Sequence, residues 1–172
     1  FGGSNLLSYI CTMKQKLYCY SFYEFKRLVE NKDSFIMDDN TVIVSIAGEN
    51  ESTEHLFEES DRVLNVDFDD IDPHALGLED GTLTWTHPKQ GYTVTFISPE
   101  MADKIVRFID KNNNKNIAVH CAAGASRSQG IVRYINDTYY DHEWETRESN
   151  PCLCPNMYVV MMLKRKYREI FQ

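Results

Sequence analysis

The sequence predicts a single-domain α/β protein in which helices cover both faces of a central, mostly parallel sheet. Short β-branched, apolar runs alternate along the chain with amphipathic helical runs. One of these runs, at residues 41–46, is almost continuously apolar, which is typical of a buried parallel strand. The length of 172 residues suits one domain with a sizeable core. We expect that domain to span residues 13–172, with residues 1–12 as an N-terminal extension or a remnant of cloning.

The first half of the chain carries three strand patterns and one clear helix start. The strands are predicted at residues 16–20, 41–46 and 62–68. Ser21 and Glu24 form the pattern of a capping box, which predicts a helix from Ser21 to about residue 31. A short helix is also expected at residues 54–59 within an acidic stretch.

The second half begins with a β-rich insertion and ends in a long helix. Runs at residues 82–86 and 92–96 predict a hairpin. Ser98 caps the next helix, with Pro99 in its first position. The core side of that helix is predicted to carry Met101, Ile105, Phe108 and Ile109. After a strand at residues 116–120, we expect a helix at 128–135, a charged segment at 141–149, a turn at 151–155 and a final helix at 156–171.

Composition and charge exclude several classes of function. The chain is 42% hydrophobic and 26% charged, and its net charge of −8 argues against a nucleic-acid partner. No apolar run approaches the ~18–20 residues of a membrane span, so we expect no membrane partner. Five cysteines are an odd number, which favours free thiols in a reducing compartment, and we expect a cytoplasmic protein. The oligomeric state is not predicted.

The most informative stretch delivers a cysteine to a loop of small residues. Cys121 follows the predicted strand, and Ala and Gly dominate the residues between it and Arg127. A strand, a tight loop and a helix N-terminus together favour anion binding, because backbone N–H groups converge there and the helix dipole favours negative charge. The same environment predicts a largely ionised, nucleophilic Cys121. The planar fork of Arg127 can bind two phosphate oxygens at once.

These residues resemble the cysteine-based protein tyrosine phosphatase superfamily. Its signature is His-Cys, any five residues, Arg, and then Ser or Thr, and the chain has His120, Cys121, Arg127 and Ser128 at that spacing. The Gly-x-Ser-Arg-Ser ending is most similar to the dual-specificity and small bacterial or viral tyrosine phosphatases. The resemblance implies a tyrosine-phosphatase-like fold and a protein phosphatase that hydrolyses phosphotyrosine, or also phosphoserine and phosphothreonine, through a phosphocysteine intermediate.

The resemblance also implies an aspartate that acts as general acid. In the family it follows the strand that precedes the catalytic one, and here four aspartates crowd residues 67–72. Aligning the strand places Asp70 at the acid's position, while Asp69 and Asp72 stay open as alternatives. The Trp-Pro-Asp triplet of large tyrosine-specific members is missing. The insertion at residues 81–97 also lengthens the separation between acid and nucleophile.

The implied mechanism gives each signature residue a role. Cys121 attacks phosphorus, Arg127 and the loop amides hold the phosphoryl oxygens, and Asp70 protonates the leaving oxygen before activating water. Ser128 eases the departure of Cys121, and His120 orients the loop. The residues assigned to substrate binding are His120, Ala122, Ala123, Gly124, Ala125, Ser126 and Ser128. No metal or other cofactor is expected, since the histidines lack ligand spacing and Cys152-x-Cys154 alone is too little for zinc.

Two other functions remain open, and the charge pattern favours one substrate class. The first alternative is a catalytically weak module that binds phosphate; the second is a phosphatase of a non-protein phosphomonoester. The neutral loop alanines disfavour phosphoinositides and RNA triphosphates. Residues 49–80 contain twelve acidic residues and one basic residue, Arg62, which favours a phosphorylated protein substrate with basic or neutral flanks. Trp85 and Tyr92 are candidate walls for an aromatic phosphoester.

Overall fold

The computed structural model describes residues 14–150 and 153–172. Its strands are β1 (Lys16–Ser21), β2 (Thr41–Ala47), β3 (Val63–Asp67), β4 (Thr84–Thr86), β5 (Thr93–Thr95), β6 (Asn116–Cys121) and β7 (Glu145–Glu148). Its α-helices are α1 (Phe22–Glu30), α2 (Ser34–Met37), α3 (Pro99–Lys111), α4 (Arg127–Thr138) and α5 (Met157–Phe171). Short 3₁₀ helices span Pro73–Leu76 and Tyr140–His142. In the described ranges no helix has the length and apolar character needed to cross a membrane.

The central sheet has five strands in the order β3-β2-β6-β1-β7, and every neighbouring pair is parallel. The predicted α/β class with a mostly parallel sheet is therefore confirmed. The strand that ends in Cys121 occupies the middle of the sheet, between β1 and β2. Because parallel strands end at the same edge, the loops after β1, β2, β3 and β6 meet around Cys121.

Helices cover both faces of the sheet, as predicted. Odd-numbered residues of β1 and β6, such as Leu17 and Val119, share one buried cluster with residues of α3, α4 and α5. Even-numbered residues, such as Tyr18 and Ala118, share the other with Phe25 of α1 and Ile36 of α2. The alternation follows from the two-residue period of a strand, which sends successive side chains to opposite faces.

Local signals placed most helix starts correctly. The Ser21 hydroxyl accepts a hydrogen bond from the Glu24 amide at 3.3 Å, but the Ser21 amide donates to the Ser149 hydroxyl at 2.8 Å, so only half of the predicted capping box forms. The Ser98 hydroxyl accepts from the Met101 amide at 3.1 Å. The predicted core of α3 is right at Ile105 and Ile109, whereas Met101 and Phe108 are only partly buried at its border.

Three local predictions were wrong or incomplete. Residues 54–59 form no helix; Leu56 and Phe57 pack there against the cluster on the α1 side of the sheet. The sequence did not predict α2, which is a single turn capped by Asp33. It also described residues 141–149 only as charged, although β7 pairs there with β1.

The remaining predictions in this part of the chain have mixed outcomes. The hairpin is present as β4 and β5, which form a separate antiparallel sheet. The final helix is α5; it buries Val159, Val160 and Leu163, whereas Tyr167, which the helical pattern also directs inward, is only partly buried. The proposed N-terminal extension at residues 1–12, the domain start at residue 13, and Cys152 of the predicted turn lie outside the described residues.

Candidate active site

Cys121 is the last residue of the central strand and is almost fully buried. Its side chain is 2% exposed, and its Sγ lies 3.0 Å from the Ser128 hydroxyl in the first turn of α4. On β1, Ser21 is its register partner. The strand therefore fixes the thiol at the sheet edge where the loops meet, and α4 supplies its one side-chain hydrogen bond among the described residues.

The loop after Cys121 lies against the end of β1. Gly124 has a φ of +68°, and a Cβ added to it would meet the Ser21 nitrogen at 2.6 Å and the Tyr20 carbonyl carbon at 2.7 Å. Only glycine fits this close approach without displacing the backbone. The Ala122 carbonyl accepts from the Phe22 amide at 3.0 Å, and the Ala125 carbonyl accepts from the Cys154 amide at 2.9 Å. Neighbouring segments thus hold the loop through its carbonyl groups.

The amides of this loop and the N-terminus of α4 are available to an anion. In the described part of the chain, the backbone N–H groups of residues 122–126 donate no hydrogen bond. Ser126 occupies the N-cap position of α4, yet its side chain makes no capping bond. A helix N-terminus without a cap leaves several amides unsatisfied, and these amides and the helix dipole favour a bound anion.

Arg127 is a buried cation next to this loop. Its side chain is 2% exposed; its Nη1 donates to the Phe68 carbonyl at 2.8 Å, and its Nη2 forms an ion pair with Glu51. Its Nε has no hydrogen-bond partner among the described residues. A Cβ on Gly48 would lie 3.1 Å from Nη1, so glycine at that position leaves room for the guanidinium group. The positive charge of Arg127 is therefore partly balanced by Glu51, and its buried Nε–H has no acceptor among the described residues.

Of the three candidate acids, Asp70 is the one that contacts the loop. Its Oδ1 accepts hydrogen bonds from the Ser126 hydroxyl at 2.7 Å and from the Asn156 side-chain amide at 3.0 Å. Its Oδ2 has no hydrogen-bond partner in the described ranges. The carboxyl group is solvent-exposed, so it can exchange protons with water.

The two alternative aspartates have other local partners. Asp69 is 5% exposed, and its Oδ2 accepts from the Thr95 amide of β5 at 2.8 Å, which ties the segment after β3 to the hairpin. Asp72 accepts from the His74 amide at 2.8 Å and caps the 3₁₀ helix. Both carboxylates accept hydrogen bonds from backbone amides, and neither makes a hydrogen bond to the loop after Cys121.

His120 lies beneath the loop rather than in it. Its ring stacks on Phe25 at a centroid distance of 4.1 Å, on the α1 face of the sheet. Burial lowers its pKa to about 3, so the imidazole is neutral at physiological pH. Its ring nitrogens have no hydrogen-bond partner among the described residues. The sequence grouped His120 with substrate-binding residues, whereas its side chain occupies a packing position here.

A cavity beside the loop extends the site toward the insertion. It has a volume of about 510 Å³, and its lining consists of Asn50, Glu51, Asp69, Asp70, Ile71, Tyr92 and Val94. Trp85 is not part of the lining; its ring packs against His87 at 5.4 Å and Tyr92 at 6.5 Å. Of the two predicted aromatic walls, Tyr92 therefore lines the cavity. Trp85 does not line it but packs against the Tyr92 ring.

Sequence reasoning did not assign site roles to three residues that the structure brings here. Glu51 pairs with Arg127, Asn156 contacts Asp70, and Cys19 lies 3.1 Å from the Ser128 hydroxyl. Glu51 sits in a stretch where acidic residues are frequent, so nothing singled it out. Asn156 carried one usable signal, since Asn at the start of a helix is a strong cap. Cys19 had no signal in the sequence, because its contact with Ser128 depends on how β1 and β6 are aligned in the sheet.

The comparison with solved structures finds a distant structural likeness, whereas the sequence comparisons find nothing. No protein-family model matches the chain, and no curated protein matches it in sequence. The solved structure of PTPMT1 in complex with PI(5)P is 17% identical, with 90% of this chain and 92% of that chain covered and a TM-score of 0.41. A likeness this distant carries no argument about function. The chain's α/β architecture and the geometry around Cys121 carry the assignment that follows.

Proposed function

We propose that this protein is a cysteine-dependent phosphatase that hydrolyses phosphotyrosine in proteins through a phosphocysteine intermediate. One observation carries the proposal: a buried thiol, unsatisfied loop amides and a buried arginine converge at the end of the central strand. Amides at a helix N-terminus favour an anion, and a nucleophile beside a bound phosphoryl group favours transfer to it. Asp70, which is hydrogen-bonded to the same loop, adds a group that can give and take a proton.

The first chemical step transfers the phosphoryl group to Cys121. The thiolate attacks phosphorus in line, while Arg127 and the amides of residues 122–126 stabilise the equatorial oxygens. The bond from phosphorus to the substrate oxygen breaks, and Asp70 donates the proton that this oxygen needs as it leaves. Glu51 holds the Arg127 guanidinium in place before substrate arrives, because their ion pair fixes its orientation.

The second step returns the enzyme to its starting state. Asp70, now ionised, accepts a proton from water as the water oxygen attacks phosphorus. The sulfur–phosphorus bond breaks, and its electron pair returns to Cys121 as a thiolate. The Ser128 hydroxyl lies 3.0 Å from Sγ and can donate a hydrogen bond to the departing sulfur. Every group in this cycle is a side chain or amide of the chain itself, together with one water.

The surroundings of the loop favour a phosphotyrosyl protein with basic or neutral flanks. Ile71, Val94 and Tyr92 give the adjoining cavity apolar walls that suit an aromatic ring. Glu51, Asp69 and Asp70 surround the same space with carboxylates, and the loop alanines offer no cation. A multiply phosphorylated headgroup would therefore meet repulsion there. Since a thiolate nucleophile needs a reducing environment, we propose that the protein acts in the cytoplasm.

The deciding experiment is turnover by the wild-type protein and by Cys121→Ser. We expect the wild type to hydrolyse an aryl phosphate and a phosphotyrosine peptide faster than a phosphothreonine peptide. Cys121→Ser should abolish turnover but still bind vanadate, because Arg127 and the loop amides remain. Cys154→Ser serves as the control, since that cysteine is exposed and has no assigned role. Phosphopeptide binding without turnover would replace the proposal with a binding module, and faster release from phosphoinositides would replace it with a non-protein substrate.

A further inference from the structure

Cys19 and Cys121 contact the same hydroxyl group from two neighbouring strands. The Sγ of Cys19 lies 3.1 Å from the Ser128 Oγ, and the Sγ of Cys121 lies 3.0 Å from that oxygen. Cys19 is fully buried on β1, and both sulfurs belong to the cluster on the α4 side of the sheet. The arrangement is a chain of three side chains, with Ser128 between the two thiols.

The protonation states of the two thiols determine which group donates and which accepts in each of these hydrogen bonds. Burial raises the pKa of the Cys19 thiol to about 12, so Cys19 keeps its S–H at neutral pH. The ionised sulfur of a nucleophilic cysteine can only accept hydrogen bonds. Ser128 has one hydroxyl proton, which it cannot give to both neighbours. The arrangement that satisfies all three groups runs from the Cys19 S–H to the Ser128 oxygen, and from the Ser128 O–H to the Cys121 sulfur.

Cys19 has one other acceptor within reach, and it is weaker. The Gly124 carbonyl oxygen lies 3.6 Å from the Cys19 sulfur, compared with 3.1 Å for the Ser128 hydroxyl. The Gln129 side-chain amide also approaches that carbonyl, at 3.4 Å. The carbonyl therefore has a second donor, whereas the Ser128 hydroxyl receives a hydrogen bond only from Cys19 among the described residues.

We infer that Cys19 is a positioning residue for the nucleophile: it holds the Ser128 hydroxyl in the orientation that donates to the Cys121 sulfur. The inference rests on the proposed function. Without the S–H donor, the hydroxyl could rotate away and leave the Cys121 sulfur without its partner. The hydrogen bond stabilises negative charge on sulfur, so it serves the thiolate in the free enzyme and again when the sulfur–phosphorus bond breaks.

The charged side chains near Cys19, Ser128 and Cys121 do not change when Cys19 is replaced. Arg127 directly precedes Ser128 on α4. Cys121 and then Glu148 of β7 raise the pKa of Cys19 beyond the effect of burial, which helps to keep its proton on sulfur. His120 is neutral because burial lowers its pKa. Replacing Cys19 therefore changes the contacts of its sulfur with Ser128 and Gly124, while the charged side chains near the Cys121 sulfur stay in place.

The test compares Cys19→Ala with Cys19→Ser in two measurements. The first is the pH dependence of Cys121 alkylation by iodoacetamide, with the labelled peptide quantified by mass spectrometry. The second is the rate of phosphocysteine hydrolysis after a burst with an activated aryl phosphate. In Cys19→Ala we expect the alkylation midpoint to rise by about half to one pH unit, and hydrolysis to slow about three- to tenfold. Cys19→Ser keeps an O–H donor and should recover most of both losses.

A double-mutant cycle shows whether Cys19 acts through Ser128. On a Ser128→Ala background, Cys19→Ala should add no further shift, because the group it positions is gone. Cys154→Ala should change neither measurement. Equal shifts in Cys19→Ala and Cys19→Ser would mean that packing rather than a donor matters, and would overturn the inference, as would no shift in either. Alkylation needs no turnover, so a shifted midpoint in a protein that hydrolyses nothing would uphold the inference and reject only the proposed activity.

Discussion

The two sides of the site are built in different ways. On the side of the proposed nucleophile, Cys121, Arg127 and Ser128 are each no more than 2% exposed and lie on the central strand and the first turn of α4. On the side of the proposed acid, Asp70 is exposed and is held by two side-chain hydrogen bonds. The contacts that position Cys121 also form the core. A substitution that breaks these contacts is therefore expected to destabilise the fold and disrupt the site together. The acid depends on surface contacts that can change while the fold persists.

The largest expected effect is that of Gly124→Ala on the nucleophile side. A methyl group there would meet β1 backbone at 2.6 Å, and the residue has a φ of +68°. We expect a loss of about 2–4 kcal/mol in the free energy of unfolding, together with most of the activity. Gly91→Ala is the matched control, because Gly91 has a φ of +72° and nothing within 4 Å of an added Cβ. Urea denaturation measures both, and equal losses would show that the loop does not depend on this close approach.

The second effect should come from Arg127→Lys, which keeps the charge but removes the fork. Lysine cannot both donate to the Phe68 carbonyl and bind two phosphoryl oxygens, so we expect kcat/KM to fall about ten- to a thousandfold. Arg133→Lys on the same helix is the control, since Arg133 is exposed and pairs with Asp137 at 3.0 Å. A near-neutral effect of Arg127→Lys would reject two-point binding by the guanidinium group.

On the acid side, Asp70→Asn should act through the leaving group and not through stability. We expect phosphotyrosine peptides to lose about ten- to a hundredfold in kcat, while aryl phosphates with acidic phenols lose less. The basic limb of the pH–rate profile should disappear, since that limb reports the protonated acid. Asp69→Asn provides the comparison, because its carboxylate holds the Thr95 amide. If Asp69→Asn shows the leaving-group pattern instead, Asp70 is not the acid.

The buried side should also make a pH-dependent contribution to the free energy of unfolding, through His120. The pKa of His120 is lowered from 6.5 to about 3 in the folded protein, so between these pH values the unfolded chain binds the extra proton. Stability is therefore complete above pH ~6.5 and falls as the pH drops toward ~3, with a loss of about 2 kcal/mol already at pH 5. Urea unfolding at pH 7 and pH 5 measures this loss. His120→Gln should make it smaller, and an unchanged slope would mean that His120 is protonated in the fold.

The smallest effect should come from Asn156→Ala, which removes one of the two hydrogen bonds to Asp70. The Ser126 hydroxyl still holds the same oxygen at 2.7 Å, so we expect a two- to fivefold loss in kcat, about 0.5–1 kcal/mol. The loss should be larger for poor leaving groups. Asn156 also caps α5, and Asn156→Ser keeps a capping oxygen while it shortens the reach toward Asp70. If both variants lose the same activity at unchanged thermal stability, the contact to Asp70 is responsible.

More of the local structure on the buried side than on the exposed side could be predicted from the sequence, for a physical reason. The local structure of residues 116–128 can be predicted from these residues alone, because an apolar strand, small loop residues and a helix start are local signals. Asp70 could be separated from Asp69 and Asp72 only by the tertiary contacts that each makes, and four neighbouring aspartates give no local distinction. The partners Glu51, Asn156 and Cys19 come from distant segments that the sheet brings together. Local patterns do not encode such contacts.

The charged strand β7 has a consequence for how the protein behaves in concentrated solution. It forms one edge of the central sheet, and all four of its residues, Glu145 to Glu148, are exposed. An open edge presents unpaired backbone groups to which another chain can add as a further strand. Three of these four residues are Glu or Arg, so an incoming strand would have to bury charged side chains along its length. We therefore expect the charge along β7 to disfavour self-association and fibril growth at this edge.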